Sequence, residues 1–263
     1  MSRAKEYPPP GHLIRRLDIS LVPDAHDTSV MYTSMPLTPQ LFVDGRFRLA
    51  VVAIMVDMAA GLMAVRSVTP DWTATFDMAS HRIGEAEPGA KADGVTRLVR
   101  AGKNIVVSET TVTVHGAPIV YAETTFSRLP HREGTAASVP LDTPRYLGQG
   151  EVPLPGPIAE VIGFRTEREG AIGFELSDLI RNSTGSVQGG VSGVAMEQAA
   201  LSLEGGGSGL DFLHVYYLAA SKGGPYRAAA QALRHTNHGV TGRVELKDLH
   251  NDRLLCQGTF LSS

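Results

Sequence analysis

The chain has 263 residues, 43% of them hydrophobic and 19% charged, enough to bury a sizeable core and too apolar to be disordered by composition. A formal charge of −3 gives no reason to expect nucleic acid or an anionic membrane as partner, and a single cysteine, Cys256, excludes an internal disulfide and a multi-cysteine metal site. Cys256 reads as a buried apolar side chain in the last strand.

Residues 1–11 read as a frayed leader, broken by Pro8, Pro9, Pro10 and Gly11 and lacking the apolar core of a secretory signal. Leu13 to Leu21 and Ser29 to Met35 mix apolar and polar residues as half-exposed strands do. Arg46 to Arg66 is the first long helix. Its apolar run carries Asp57 at the centre, so it reads as a buried helix and not a membrane span, and the expected location is the cytoplasm. Thr73 to Arg82, Gly94 to Ala101, Asn104 to Val114 and Ile119 to Ser127 follow as strands, the last two joined by a hairpin at His115 to Pro118.

Residues 128–157 hold Pro130, Pro140, Pro144, Pro153, Pro155 and Pro157 and read as a connector. The order then repeats. Val161 to Thr166 and Ala171 to Leu176 are strands, Gly189 to Leu203 is a helix ended by Gly205 to Gly209, and Phe212 to Ala219, Tyr226 to Arg234, Gly239 to Leu246 and Leu254 to Leu261 are strands. The mid-helix acids Asp57 and Glu197 lie 140 residues apart, and Phe126 and Phe260 of the terminal strands lie 134 apart. That is an internal duplication at domain scale. It predicts an α+β chain of two units, 12–128 and 158–263, with 129–157 as linker.

Both acids share their helix faces with small or apolar residues, Ala53, Ile54, Ala60 and Gly61 around Asp57, and Gly193, Val194, Ala200 and Leu201 around Glu197. A carboxylate in such surroundings needs hydrogen bonds, a cavity or a raised pKa. It is either a structural acid bonded to neighbouring backbone or a functional one, and its recurrence in both repeats favours the second. Gly189 and Gly190 open the second helix, where unpaired N–H groups and the positive dipole end point outward. They either let a carbonyl approach an N–H or permit a tight turn and close helix packing.

Asn182-Ser183-Thr184-Gly185-Ser186-Val187-Gln188-Gly189-Gly190, with Glu197 two turns on, resembles the Asn-x-x-Gly-x-x-His-Gly-Gly signature of hotdog-fold acyl-CoA thioesterases, with Gln188 in the histidine position. Thr75-Phe76-Asp77-Met78 resembles the strand that follows the helix in that superfamily. The resemblance implies two fused hotdog domains, each a sheet wrapped around a long helix and together mimicking a homodimer, with a site shared between the halves. One composite site then combines Asn182, Gln188, Gly189 and Gly190 with Asp57 as general base or nucleophile and Thr75 as hydroxyl. The reciprocal site combines Phe42, Gly45, Arg48 and Leu49 with Glu197 and Leu210, and it has lost the asparagine, the first glycine and the hydroxyl. The implied activity is hydrolysis of an acyl-CoA thioester, with no cofactor beyond the coenzyme A of the substrate, no metal, no nucleic-acid or membrane partner, and assembly into a homo-oligomer. A non-catalytic acyl-CoA- or lipid-binding protein is the alternative. A hotdog hydratase is a third reading, disfavoured because neither helix holds a histidine.

Other signals are weaker. His235 and His238 have no acid or cysteine cluster beside them to suggest zinc. Gly205 to Gly209 is followed by no phosphate-loop lysine. No Gly-x-Ser-x-Gly elbow occurs. Arg97, Arg100 and Lys103 suit a solvated face better than a coenzyme A phosphate contact.

Overall fold

The computed structural model describes residues 7–134, 137–138, 142–148 and 151–263. The first six residues of the predicted leader and Pro140 of the predicted connector lie outside the described residues.

In chain order the elements are α1 (Leu13–Arg16), β1 (Ser20–Pro23), β2 (Val30–Pro36), a 3-10 turn (Pro39–Leu41), β3 (Phe42–Val43), β4 (Arg46–Phe47), α2 (Leu49–Val68), β5 (Trp72–Arg82), β6 (Lys91–Ala101), β7 (Ile105–Val114) and β8 (Ala117–Leu129). Then come β9 (Arg145–Tyr146), α3 (Ile158–Ile162), β10 (Arg165–Arg168), β11 (Ala171–Phe174), α4 (Gly189–Leu201), β12 (Leu210–Tyr217), β13 (Tyr226–Thr236), β14 (Gly239–Asp248) and β15 (Arg253–Ser262). Among the described residues thirteen strands form one antiparallel sheet in the order β10-β11-β13-β14-β15-β12-β5-β8-β7-β6-β2-β1-β9. The two halves of the chain meet at its centre, where β12 pairs with β5 from Phe212 opposite His81 to Tyr216 opposite Asp77.

The strands alternate buried and outward residues, as in Ile105–Val114 and Gly239–Asp248, so one face of the sheet is apolar. Both long helices lie against that face and against each other. This explains why α2 is apolar all round. It is long and apolar enough to cross a membrane, but 67% of that stretch is buried within the protein. At the helix crossing, a Cβ on Gly190 would lie 2.5 Å from Ile54 Cγ1 and 2.9 Å from Ile54 Cα. Close packing therefore accounts for Gly190, which the sequence suggests as a substrate contact. Gly190→Ala should force α2 and α4 apart and cost about 1–3 kcal/mol, measured as a lower urea midpoint at unchanged slope.

Three predicted boundaries change. Leu13–Arg16 is a helical turn and not a strand, because the His12 side chain caps it by accepting from the Ile14 N–H (3.2 Å). Ile158–Ile162 is likewise a helix, closed by Gly163 at φ +86°, where the sequence predicts a strand from Val161. α2 begins at Leu49 rather than Arg46, since Arg46–Phe47 pairs with Phe42–Val43 across an Asp44-Gly45 turn with φ of +46° and +82°. The part of the connector that is described runs along the surface. Arg145–Tyr146 adds to the sheet edge beside β1, and Leu147 and Leu154 are buried.

Candidate functional site

The segment before α4 is shaped by one side chain. Asn182 Oδ1 accepts from the Thr184 N–H (3.0 Å), the Thr184 hydroxyl (2.8 Å) and the Ser186 N–H (2.9 Å), while Nδ2 donates to Val187 O (3.3 Å). Gly185, at φ +88°, lets the chain turn back so that the Asn182 N–H reaches Ser186 O at 2.7 Å. Asn182 thus spends its polar atoms on the loop, where the sequence predicts a ligand or water contact. It thereby fixes the course of the chain that leads into Gln188 and Gly189.

Gln188 is the N-cap of α4. Its Oε1 accepts from the Val191 N–H (2.9 Å), which turns Nε2 toward Asp57 Oδ2 at 3.5 Å. Asp57, in the middle of α2, also accepts from the Thr75 hydroxyl on β5 (3.0 Å). A Cβ on Gly189 would lie 3.3 Å from Asp57 Oδ2. The fold therefore brings Asp57, Thr75, Gln188 and Gly189 together although they come from both halves of the chain. The N–H of Gly189, in the first turn of α4, has no acceptor among the described residues.

Burial pushes the Asp57 carboxyl up to about 6, against a partly offsetting hydrogen bond from Thr75. The group can therefore exchange a proton near neutrality while keeping a defined orientation. Opposite it stand two tyrosines that sequence reasoning missed. Tyr217, on β12, packs its ring 3.5 Å from the Cβ position of Gly189, and its hydroxyl is buried with no hydrogen-bond partner among the described residues. Burial, and then the Asp57 charge, hold its pKa well above the usual tyrosine value, so it remains a proton donor. Tyr7 lies edge-on to His12 with ring centroids 5.3 Å apart, and its pKa is raised by burial and by Asp57. His12 Nδ1 accepts from Ile14, so its proton sits on Nε2 and is donated to Arg181 O (3.0 Å). The end of the expected leader is thereby pinned over the site. A tyrosine in a proline-rich stretch and one in an alternating strand carry no pattern that marks them.

The reciprocal position is built differently. Glu197 is fully buried and pairs with Arg48, the N-cap of α2, whose Nε lies 3.0 Å from Oε2. Its Oε1 accepts from the Ala50 N–H at 3.4 Å, and Arg48 Nη1 donates to Gln198 Oε1 at 2.8 Å. The acid of the second helix is thus engaged by a guanidinium and by a first-turn N–H of the first helix. Leu49 is buried with no exposed surface, Leu210 is buried and offers only its carbonyl, to Arg82 (3.0 Å), and Gly45 serves the β3–β4 turn.

Cys256 is buried on β15, with burial pushing its thiol up to about 12. Arg97, Arg100 and Lys103 are exposed.

No family model and no curated protein matches the chain. Solved structures do. The 12:0-ACP thioesterase from Umbellularia californica is 9% identical, with 89% of this chain and 94% of that chain covered and a TM-score of 0.59. An acyl-ACP thioesterase from Bacteroides thetaiotaomicron is 12% identical, with 89% and 98% covered and a TM-score of 0.58. A protein provisionally described as an oleoyl thioesterase from Lactobacillus plantarum is 14% identical, with 90% and 96% covered and a TM-score of 0.62. At these identities the likeness is one of fold. It spans nearly the whole of both chains, so the shared fold is that of the full chain and not of one half of it.

Proposed function

We propose that this protein is a thioester hydrolase with a single working site, set between the two halves of a double-hotdog pseudo-dimer. The reading rests on one observation above all. A carboxylate whose pKa burial raises to about 6 stands beside Gly189 at the start of α4, whose N–H has no acceptor among the described residues. The Gly189 N–H polarises the carbonyl oxygen. Asp57 takes a proton from water, the resulting hydroxide adds to the carbonyl carbon, the C–S bond breaks, and the departing thiolate collects the proton. Alternatively the carboxylate itself adds to the carbon, expels the thiolate, and leaves an anhydride that water opens. Gln188 and Thr75 hold the carboxylate in place on either route. Single turnover in ¹⁸O-water tests for the anhydride, because label enters Asp57 only when water opens an anhydride at the Asp57 carbon.

The Tyr217 hydroxyl supplies a second donor to the developing oxyanion. Removing it leaves no polar group stranded, so Tyr217→Phe should fold normally. It should lower kcat by about tenfold to a hundredfold with KM little changed. An unchanged kcat would remove Tyr217 from the mechanism.

The substrate class follows from the sequence resemblance, acyl-CoA, and the fold neighbours add acyl-ACP as a second carrier. Thiol release from short, long and aromatic acyl-CoAs and from the matching acyl-ACPs tests the activity and ranks the carriers. Binding of both carriers without release of thiol would replace hydrolysis by the alternative reading, a non-catalytic acyl-carrier- or lipid-binding protein.

A further inference from the structure

The face of the sheet that turns away from both helices carries a run of rings across the seam between the halves. Phe76, Tyr216, His214, Phe212, His81 and Tyr121 follow one another with ring centroids 4.5–6.4 Å apart. Phe76 is 44% exposed, Tyr216 40%, and Leu261, opposite Phe212 on the next strand, 40%. Contiguous exposed apolar surface of this kind marks an interaction site, and tyrosine and phenylalanine are enriched at such sites. The register of the sheet sets what flanks the rings. One row runs Glu109, Glu123, Ala79, His214, Thr259, Arg243 across β7, β8, β5, β12, β15 and β14. Glu109 therefore lies on the third strand from the seam on one side, and Arg243 on the third strand on the other. Arg97 flanks Glu109 on β6 beyond ion-pair distance, and neither Glu109 nor Arg243 has an ion-pair partner among the described residues. In the neighbouring row Tyr121 and Leu261 occupy the second strands, and His81 and Phe212 the first.

We propose that this face binds a second copy of the same chain, in a two-fold dimer whose axis runs along the β5–β12 seam. Such an axis sets each strand on one side of the seam against its counterpart on the other, and every contact occurs twice. Glu109 then meets Arg243 of the second copy, with Glu123 beside it as a further acid. The same operation puts Tyr121 over Leu261 and His81 over Phe212, so apolar surface meets apolar surface in the row next to the charged one. This self-complementarity selects a second copy over an unlike partner. The acids Asp77, Glu123 and Glu245 on the same face weigh against an anionic lipid surface. Six strands about 4.8 Å apart and three rows about 6.8 Å apart cover roughly 600 Å² per copy, or ~1,200 Å² in total, above the ~1,000 Å² that a specific interface needs. Aligned sheets cross by up to about 30°, so the rows match best near the axis, and the length of both side chains closes the outer Glu109–Arg243 pair. The inference rests on the sheet face alone and stands whether or not Asp57 hydrolyses thioesters.

Sedimentation velocity of the full chain at micromolar concentration tests this. Wild type should sediment at twice the 28.0 kDa chain mass or an even multiple of it. Glu109→Arg and Arg243→Glu each set like charges against one another twice per dimer, and each should weaken association at least about tenfold. Mixing the two variants makes both pairs attractive again, so the mixture should recover the wild-type mass, which a misfolded variant could not do. The double variant Glu109→Arg with Arg243→Glu should likewise associate as wild type does. Phe76→Lys, beside the axis, should weaken association with no recovery on mixing. A wild type that stays monomeric, an assembly that the single charge variants leave intact, or charge variants that recover neither on mixing nor in the double variant would each overturn the proposal. So would a monomer that co-sediments with phosphatidylcholine vesicles, since lipid would then be what covers the face.

Discussion

Replacing Asp57 by asparagine is expected to lower kcat for thioester hydrolysis at least about a hundredfold, because the amide neither takes a proton nor attacks a carbonyl. The amide oxygen would still accept from Thr75, so the loss reports on chemistry and not on collapse of the site. The same substitution should raise thermal stability. The folded carboxyl is held up at about 6 from an ordinary 3.8, which means that the folded protein binds the Asp57 proton more tightly than the unfolded chain does. The Asp57 contribution to stability therefore falls as pH rises from about 4 to about 6 and is flat above that. Above pH 7 the ionised group opposes folding by roughly 3 kcal/mol, at about 1.4 kcal/mol for each tenfold difference in proton affinity. Asp57→Asn removes that opposition, so Tm at pH 7.5 should rise by several degrees. Wild-type kcat/KM should run the other way, rising through an apparent pKa of about 6 to a plateau. Calorimetry and a pH–rate profile on the two proteins check both halves. An asparagine variant that is active, or less stable than wild type at pH 7.5, would remove Asp57 from its assigned role.

Glu197→Ala should do the reverse, leaving turnover per folded molecule largely intact and weakening the fold. It strands the Arg48 guanidinium, which is 3% exposed and loses its only carboxylate partner among the described residues. Breaking one side of a buried pair costs about 3–5 kcal/mol. In a chain of this size that is a fall in Tm on the order of 10 °C. Replacing both partners by apolar residues, as in Arg48→Met with Glu197→Leu, should recover most of the loss, because no charge is then buried alone. Kinetics on the soluble fraction separates the two acids. A fall in kcat for Glu197→Ala comparable to that for Asp57→Asn would mean that the reciprocal position also turns over substrate.

The difference between the two acids was only partly legible in the chain. Phe42, Leu49 and Leu210 stand where the resemblance leads one to expect asparagine, glycine and a hydroxyl, and they mark the reciprocal position as altered. They do not say what replaced it. Arg48 and Glu197 are 149 residues apart, and their pairing depends on the two helices crossing close to both. Gly189 and Gly190 show the same limit. They are adjacent and identical in sequence, yet one faces Asp57 and Tyr217 and the other Ile54, because successive residues on a helix point about 100° apart.

By itself, the sequence determined the apolar helices with an acid at the centre of each, the hairpins, and the repeat of 140 residues that sets those acids in equivalent places. These are matters of local periodicity and turn chemistry, carried by neighbouring residues. The tertiary structure decided which polar atoms are engaged. Asn182 closes its own loop, Gln188 caps α4 and faces Asp57 with its amide, the Tyr217 hydroxyl is left without a partner among the described residues, and Glu197 is locked to Arg48. Except within the Asn182 loop and in the Gln188 cap itself, these outcomes depend on residues far apart in the chain, settled only when the β5–β12 seam joined the halves and the two helices packed beneath it.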